Sequence, residues 1–150
     1  MAILAVFMLS LCGCSILPSV INDIDTLKGW SFQSNPGTND YSLFFGLLNS
    51  NDRYIAADID VDIRIVNDAG EEVYSATKSV TTKDFGDYES KVAGKQYLAN
   101  VRIPASDIKN GKSNNGTVYL TVYKGDTIPS LRLPNVCVFK PLKFKNEKER

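Results

Sequence analysis

Two stretches of the sequence alternate polar and apolar residues, and this pattern restricts the possible folds more than any other feature. In 57–66 the apolar residues are mostly β-branched, and charged residues alternate with them: Asp58, Asp60, Asp62 and Arg64. In 117–123 the apolar residues alternate with hydroxyl-bearing ones: Thr117, Tyr119, Thr121 and Tyr123. Because successive side chains of a β-strand point to opposite faces, each stretch predicts a strand with one face in the core and one toward solvent.

Turn-forming residues separate these stretches from five further candidate strands, at 30–33, 41–48, 72–82, 96–103 and 135–144. Asn35-Pro36-Gly37 and the segment 67–70 are typical turns. The nearly continuous apolar run 41–48 predicts a strand that is buried on both faces. Residues 83–94 are polar and contain two glycines, which predicts a loop. Residues 106–108 are suited to one helical turn, and Pro141 indicates that the last strand lies at a sheet edge.

Seven short strands without a long amphipathic helix predict an all-β domain made of two antiparallel sheets. In this pattern, residues 29–144 resemble immunoglobulin-like or fibronectin-III-like sandwiches. A small β-barrel is the alternative, because strand number does not separate the two. The disulfide pair of antibody domains is absent, so the fold is expected to depend on a packed core: Trp30, Phe44, Phe45, Ile63, Val101, Leu120 and Val138.

The first 14 residues form an uncharged apolar run, MAILAVFMLSLCGC. It is shorter than the roughly 20 residues that a transmembrane helix needs, and it fits the apolar region of a secretory signal peptide. Its end, Leu11-Cys12-Gly13-Cys14, resembles the lipobox of bacterial lipoproteins. The resemblance implies cleavage between Gly13 and Cys14 and a lipid on Cys14, although the basic segment that begins such signals is missing, since the first lysine is Lys28.

These features divide the chain into a signal peptide at 1–13, a lipidated tether at 14–28, a sandwich at 29–144 and a charged tail at 145–150. The predicted location is the cell membrane or the outer membrane, with the domain facing the periplasm or the exterior. Of the three cysteines, Cys12 leaves with the signal and Cys14 carries lipid, so Cys137 is interpreted as a small core residue.

Composition excludes several classes of function. Lys and Arg total 17 and so do Asp and Glu, and the basic residues are scattered, which argues against nucleic-acid binding. The absence of His excludes His-based triads, His general bases and His-ligated zinc. No phosphate-binding loop or nucleophile motif is present. The sequence therefore predicts a non-catalytic protein without a cofactor.

Two sets of residues are candidate sites. Asp58, Asp60 and Asp62 are hard oxygen ligands that suit calcium, but alternate residues of a strand stand about 6.6 to 7 Å apart. A solvated face with cross-strand lysine partners is therefore the simpler expectation, and no metal is assigned. Tyr119 and Tyr123 suit a partner protein or a sugar, because Tyr offers apolar area with a polar hydroxyl.

The expected function is a membrane-anchored binding or accessory domain at the cell envelope. Its partners would be the membrane, through the lipid, and another envelope protein. A calcium- or carbohydrate-dependent adhesion module and a structural subunit of an envelope assembly are the alternatives.

Overall fold

The computed structural model describes residues 23–123 and 130–137, and for Trp30 and 130–137 it describes the backbone alone. These residues form nine strands. They are β1 (Thr26–Asn35), β2 (Asp40–Leu48), β3 (Tyr54–Ile55), β4 (Ile59–Asn67), β5 (Glu72–Val80), β6 (Phe85–Ser90), β7 (Gly94–Pro104), β8 (Asn115–Val122) and β9 (Ser130–Cys137). Short 3-10 turns at Thr82–Asp84 and Ala105–Asp107 precede β6 and follow β7.

The strands form two open antiparallel sheets, which confirms the predicted sandwich rather than the barrel. The front sheet has the order β1-β2-β7-β6, with β3 paired to the end of β2, and the back sheet has the order β5-β4-β8-β9. Strand β5 is the edge strand beside β4 in the back sheet. The edge strands β1 and β9 lie next to each other across the two sheets.

The core lies between the sheets and follows the alternation in the sequence. Ile59, Val61, Ile63 and Ile65 of β4 are almost completely buried, whereas the charged residues between them face outward. Of the predicted core residues, four pack in this core: Phe45, Ile63, Val101 and Leu120. Phe44 was predicted to pack between the two sheets, and this prediction is wrong. This side chain is buried on the outer face of the front sheet, where its ring meets Tyr88 edge-on at 4.9 Å. The side chains of Trp30 and Val138 lie outside the described residues.

Strand β2 is buried along its whole length, as predicted from its apolar run. Its outward side is covered by aromatic side chains of neighbouring strands, with Tyr88 of β6 against Phe44 and Tyr54 of β3 against Gly46. The ring of Tyr54 lies against Gly46, where a Cβ atom would collide with it. The ammonium of Lys28 is 6.0 Å from the centre of the same ring. A glycine at position 46 therefore allows an aromatic side chain to cover the sheet.

The structure has two strands more than the seven predicted, β3 and β6, and the first strand begins earlier than predicted. Strand β1 begins at Thr26, inside the segment assigned to the tether, because Ile24 and Leu27 are buried in the core. The segment 83–94 is not a loop: Phe85–Ser90 pairs with β7 as an edge strand. Backbone pairing with β7 outweighs the weak strand preference of its polar residues.

The last described strand, Ser130–Cys137, overlaps the predicted strand 135–144 at 135–137 and lies at an edge of the described back sheet, while 138–144 lie outside the described residues. Pro134 within it stands next to a register shift opposite β8, which is where a sheet tolerates proline. Pro141, the tail 145–150 and the side chain of Cys137 lie outside the described residues. The predicted helical turn near 106–108 is present as the 3-10 turn Ala105–Asp107.

The turn between β4 and β5 is held by the buried side chain of Asn67. Its Oδ1 accepts hydrogen bonds from the N–H groups of Ala69 (3.1 Å) and Glu71 (2.8 Å), and its Nδ2 donates to Glu71 Oε2 at 2.7 Å. The same carboxylate accepts the backbone N–H of Lys112 at 2.8 Å. Gly70 has φ +80°, a left-handed conformation that glycine adopts without steric cost. The network thus ties the turn to the connection between β7 and β8.

We expect Gly116→Ala to destabilise the domain by about 1 to 3 kcal/mol. A Cβ atom at this position would collide with the Val66 carbonyl oxygen and lie 2.9 Å from Asn67 Cα, and backbone atoms of a paired strand cannot move aside. Urea unfolding measures the change. Gly37→Ala is the matched control, because nothing lies within 4 Å of its Cβ position, and its effect should stay within about 0.5 kcal/mol. Equal effects of the two substitutions would contradict this account of the packing.

Candidate functional site

The two candidate sets from the sequence lie on one surface. Strands β4 and β8 are neighbours in the back sheet, with Asp62 opposite Thr121 and Arg64 opposite Tyr119. Serine and threonine residues of β5 complete the same side, because Ser79 is opposite Asp60 and Thr77 is opposite Asp62. We call this outer surface of the back sheet the polar face. It comprises Asp58, Asp60, Asp62, Arg64, Ser75, Thr77, Ser79, Tyr119, Thr121 and Tyr123.

Each aspartate of the polar face has its own hydrogen-bond donor. Asp58 Oδ1 accepts the backbone N–H of Thr82 at 2.7 Å. Asp60 Oδ1 accepts the hydroxyl of Ser79 at 2.7 Å, and Asp62 Oδ1 accepts that of Thr77 at 2.5 Å. The expected cross-strand lysines are therefore replaced by hydroxyl groups. The register explains the difference, because Lys78 is opposite Val61 and so belongs to the other side of β5.

The aspartate row is not brought together around a common point. Asp58, Asp60 and Asp62 each bond to a different partner along the strand. Over 23–123, where side chains are described, no three acidic or cysteine residues are grouped so that they could hold a metal ion. Strand geometry, which separates alternate side chains by about 6.6 to 7 Å, accounts for this spacing. We therefore assign no calcium ion to these carboxylates.

The two candidate tyrosines have different surroundings. Tyr119 is half-buried, and the guanidinium of Arg64 lies 4.9 Å from the centre of its ring, a cation–π contact. Tyr123 is 53% exposed, and its hydroxyl bonds to the carboxylate of Asp62. It lines a shallow depression together with carboxylates and hydroxyls of the polar face and two apolar residues, Ile59 and Val80. This arrangement offers hydrogen-bond acceptors, hydroxyl donors and one aromatic surface to a polar ligand.

The hydroxyl partners change the acidity of both members of the Asp62–Tyr123 pair. Hydrogen bonds from Thr77 and Tyr123 stabilise the ionised carboxylate and lower the pKa of Asp62 below its usual value. The bond to Asp62, together with its negative charge, raises the pKa of the Tyr123 hydroxyl. Near neutral pH the carboxylate is therefore charged and the tyrosine is a neutral donor.

Sequence reasoning missed a second polar region, on the outer side of the front sheet. There Lys83 and Asp84 of the 3-10 turn, Tyr88 of β6, and Asn100 and Arg102 of β7 line a groove. The region was missed because 83–94 was predicted to be a loop. Asn100 and Arg102 occupy alternate positions of the predicted strand 96–103, and this alternation was the available signal. Nearby, Asp40 is buried and accepts hydrogen bonds from Thr38 and Asn35.

We predict that Tyr123→Phe raises the pKa of Asp62 toward its ordinary value, because one of the two hydroxyl donors is lost. A carboxyl group whose pKa is lowered by folding stabilises the native state above its unfolded pKa of about 3.9. That contribution disappears as the pH falls through the native pKa, and it should be smaller in the variant. Carboxyl-carbon NMR titration of Asp62 and acid unfolding of both proteins measure the two effects.

Tyr119→Phe is the matched control, because Thr77 and Tyr123 are the side chains that donate to Asp62. The Asp62 titration should be unchanged in this variant. An identical Asp62 pKa in the wild type and in Tyr123→Phe would contradict the assigned hydrogen bond.

The lipobox residues Leu11, Gly13 and Cys14 lie outside the described residues. Within the described ranges, no helix has the length and apolar character needed to cross a bilayer. Comparison with protein-family models, with curated proteins and with solved structures finds no match for this chain. The functional argument therefore depends on the N-terminal sequence pattern and on the surfaces of the sandwich.

Proposed function

We propose that this protein is an exported lipoprotein, anchored to a membrane through Cys14, whose sandwich is a non-catalytic binding domain at the cell envelope. The observation that carries the proposal is the uncharged apolar run that ends in Leu11-Cys12-Gly13-Cys14. Acylation at that cysteine with two or more chains gives stable membrane attachment, whereas one chain binds only marginally.

The position of β1 supports such an attachment. Eleven residues lie between Cys14 and Thr26, where β1 begins, so the tether reaches at most about 40 Å from the lipid. Thr26 is opposite Leu48, the last residue of β2. The sheet end with the 49–53 connection and the β6–β7 turn would therefore be nearer the membrane. A tether of this length confines the domain and raises its effective concentration for partners in the same membrane.

Cys14→Ser tests the anchor. In a bacterial host, the wild-type protein should partition into the detergent phase and incorporate labelled palmitate, and the variant should do neither, because the thioether needs the cysteine sulfur. Cys12→Ser is the matched control, since that residue leaves with the signal peptide, and it should behave like the wild type. Unchanged membrane association and labelling of Cys14→Ser would overturn the proposal.

Carbohydrate recognition is a second candidate function, and the exposed ring of Tyr123 above the carboxylates of the polar face favours it. Sugars bind through stacking on aromatic rings and through hydrogen bonds to their hydroxyls, and Asp60, Asp62 and Ser79 border the same depression. The ligand would be an envelope polysaccharide.

We expect Tyr123→Ala to reduce retention of the protein on immobilised envelope polysaccharide at least tenfold, because the stacking surface is lost. Tyr119→Ala should reduce it less, since that ring is half-buried beneath Arg64. Val92→Ala is the control, because Val92 is 98% exposed on the distant β6–β7 turn. Retention that is the same in Tyr123→Ala, Tyr119→Ala and the wild type would exclude this function for the polar face.

A further inference from the structure

Strand β7 has an open edge on one side of its second half. Strand β6 pairs with β7 only up to Phe85 opposite Ala99, whereas β2 continues to pair with it up to Asp40 opposite Pro104. Before Phe85 the chain forms the 3-10 turn Thr82–Asp84, which contacts β7 but is not a strand, and it is preceded by β5. Residues 100–103 therefore have a strand neighbour on the β2 side and none on the β6 side in the described structure.

An open edge of this kind presents unpaired backbone groups. In an antiparallel sheet, an interior strand directs its N–H and C=O groups alternately to its two neighbours. About half of these groups in 100–103 thus point to the side that β6 has left. Among the turns and loops of 23–123, no backbone group forms a hydrogen bond with 100–103. The open edge has room for about four residues of an added strand, or about 13 Å.

The groove beside the open edge carries two cations. Lys83 is exposed, and the side chain of Arg102 is 67% exposed. The carboxylate of Asp84 is already engaged, because its Oδ2 accepts the N–H and the hydroxyl of Thr81 at 2.7 and 2.9 Å. Arg102 lies 3.7 Å from Asp40, whose carboxylate also accepts hydrogen bonds from Thr38 and Asn35. Lys83 forms no salt bridge among the described residues, so it can pair with an anionic group of a ligand.

Asn100 also lines the groove and indicates a ligand that donates hydrogen bonds. Its Oδ1 is buried and has no hydrogen-bond partner in the described structure. A buried acceptor without a donor is unfavourable. An N–H of a bound chain that reaches this oxygen would remove that cost.

We propose that the open edge at 100–103 binds an extended segment of a partner protein by adding a strand to the front sheet, with an acidic side chain of that segment placed between Lys83 and Arg102. Backbone pairing provides the affinity in this mode of recognition, and side-chain contacts provide the selectivity. Another β-strand is the ligand whose own backbone repeat matches these alternating groups.

This inference deepens the proposed binding role by naming a partner class, and it does not require the lipid anchor. Residues 100–103 are paired with the half of β2 farther from Thr26. In the tethered protein the open edge would therefore be nearer the end of the front sheet that faces away from the membrane, where a partner can approach.

Two synthetic peptides test the proposal, Ac-TVEVTE-NH2 and its charge-reversed form Ac-TVKVTK-NH2, with the full chain in detergent micelles. We expect the acidic peptide to shift the backbone amide NMR signals of 100–103, to slow their hydrogen exchange, and to bind at least tenfold more tightly than the lysine peptide. Methylation of the backbone nitrogens of the acidic peptide should abolish binding, because a strand without N–H donors cannot pair.

Lys83→Gln and Arg102→Gln should each weaken binding of the acidic peptide about tenfold, whereas Lys95→Gln is the matched control and should leave it unchanged. Circular dichroism of each variant verifies that the fold is intact. Equal affinity for the two peptides, shifts confined to other edges, or full competition by free glutamate would overturn the proposal. Such a failure is distinguishable from failure of the anchor or of the polar face, which Cys14→Ser and Tyr123→Ala report separately.

Discussion

The contact between the inward faces of the two sheets is the interaction on which the rest of the structure depends. Strands β2 and β7 supply one side, and β4 and β8 supply the other. Residues 15–150 contain a single cysteine, so an intramolecular disulfide within them does not contribute. Burial of apolar area at roughly 25 cal/mol per Å² is then the main stabilising contribution, and the alternation in β4 and β8 makes that burial specific to one register.

Polar groups at the ends of the sheets determine how the strands are connected. The buried Asn67 and the carboxylate of Glu71 join the β4–β5 turn to the connection between β7 and β8. The N–H of Lys112 and the amide of Asn67 lower the pKa of Glu71, which keeps this acceptor ionised near neutral pH. Asp40 has a similar role at the β1–β2 turn, because Thr38, Asn35 and Arg102 lower its pKa. These carboxylates hold turns, and we assign them no ligand.

The same sandwich leaves two very different surfaces available for binding. The polar face of the back sheet offers side chains: carboxylates, hydroxyls and the ring of Tyr123. The open edge of the front sheet offers unpaired backbone groups together with Lys83 and Arg102. In the two proposals made above, the side-chain surface binds a sugar and the backbone edge binds a peptide, on opposite sheets.

The sequence by itself determined the class of fold. Strict alternation of polar and apolar residues in 58–65 and 117–123 favours a β-strand with one face buried and the other exposed to solvent. It also placed Asp58, Asp60, Asp62, Tyr119 and Tyr123 on the outward sides of their strands. Their juxtaposition was decided by the tertiary structure, since the pairing of β4 with β8 joins residues about 60 positions apart. Periodicity is a local property, and strand pairing is not.

The tertiary structure alone also decided the partners of the aspartates and the extent of β6. Hydroxyls rather than lysines face Asp60 and Asp62 because the β4–β5 register puts Lys78 on the other side. Phe85–Ser90 forms a strand because it can hydrogen-bond to the edge of β7. The pairing of β6 with β7 ends at Phe85 opposite Ala99, so residues 100–103 have no partner in β6. Local preference of a polar, glycine-containing segment is weak, so the neighbouring strand determined its conformation.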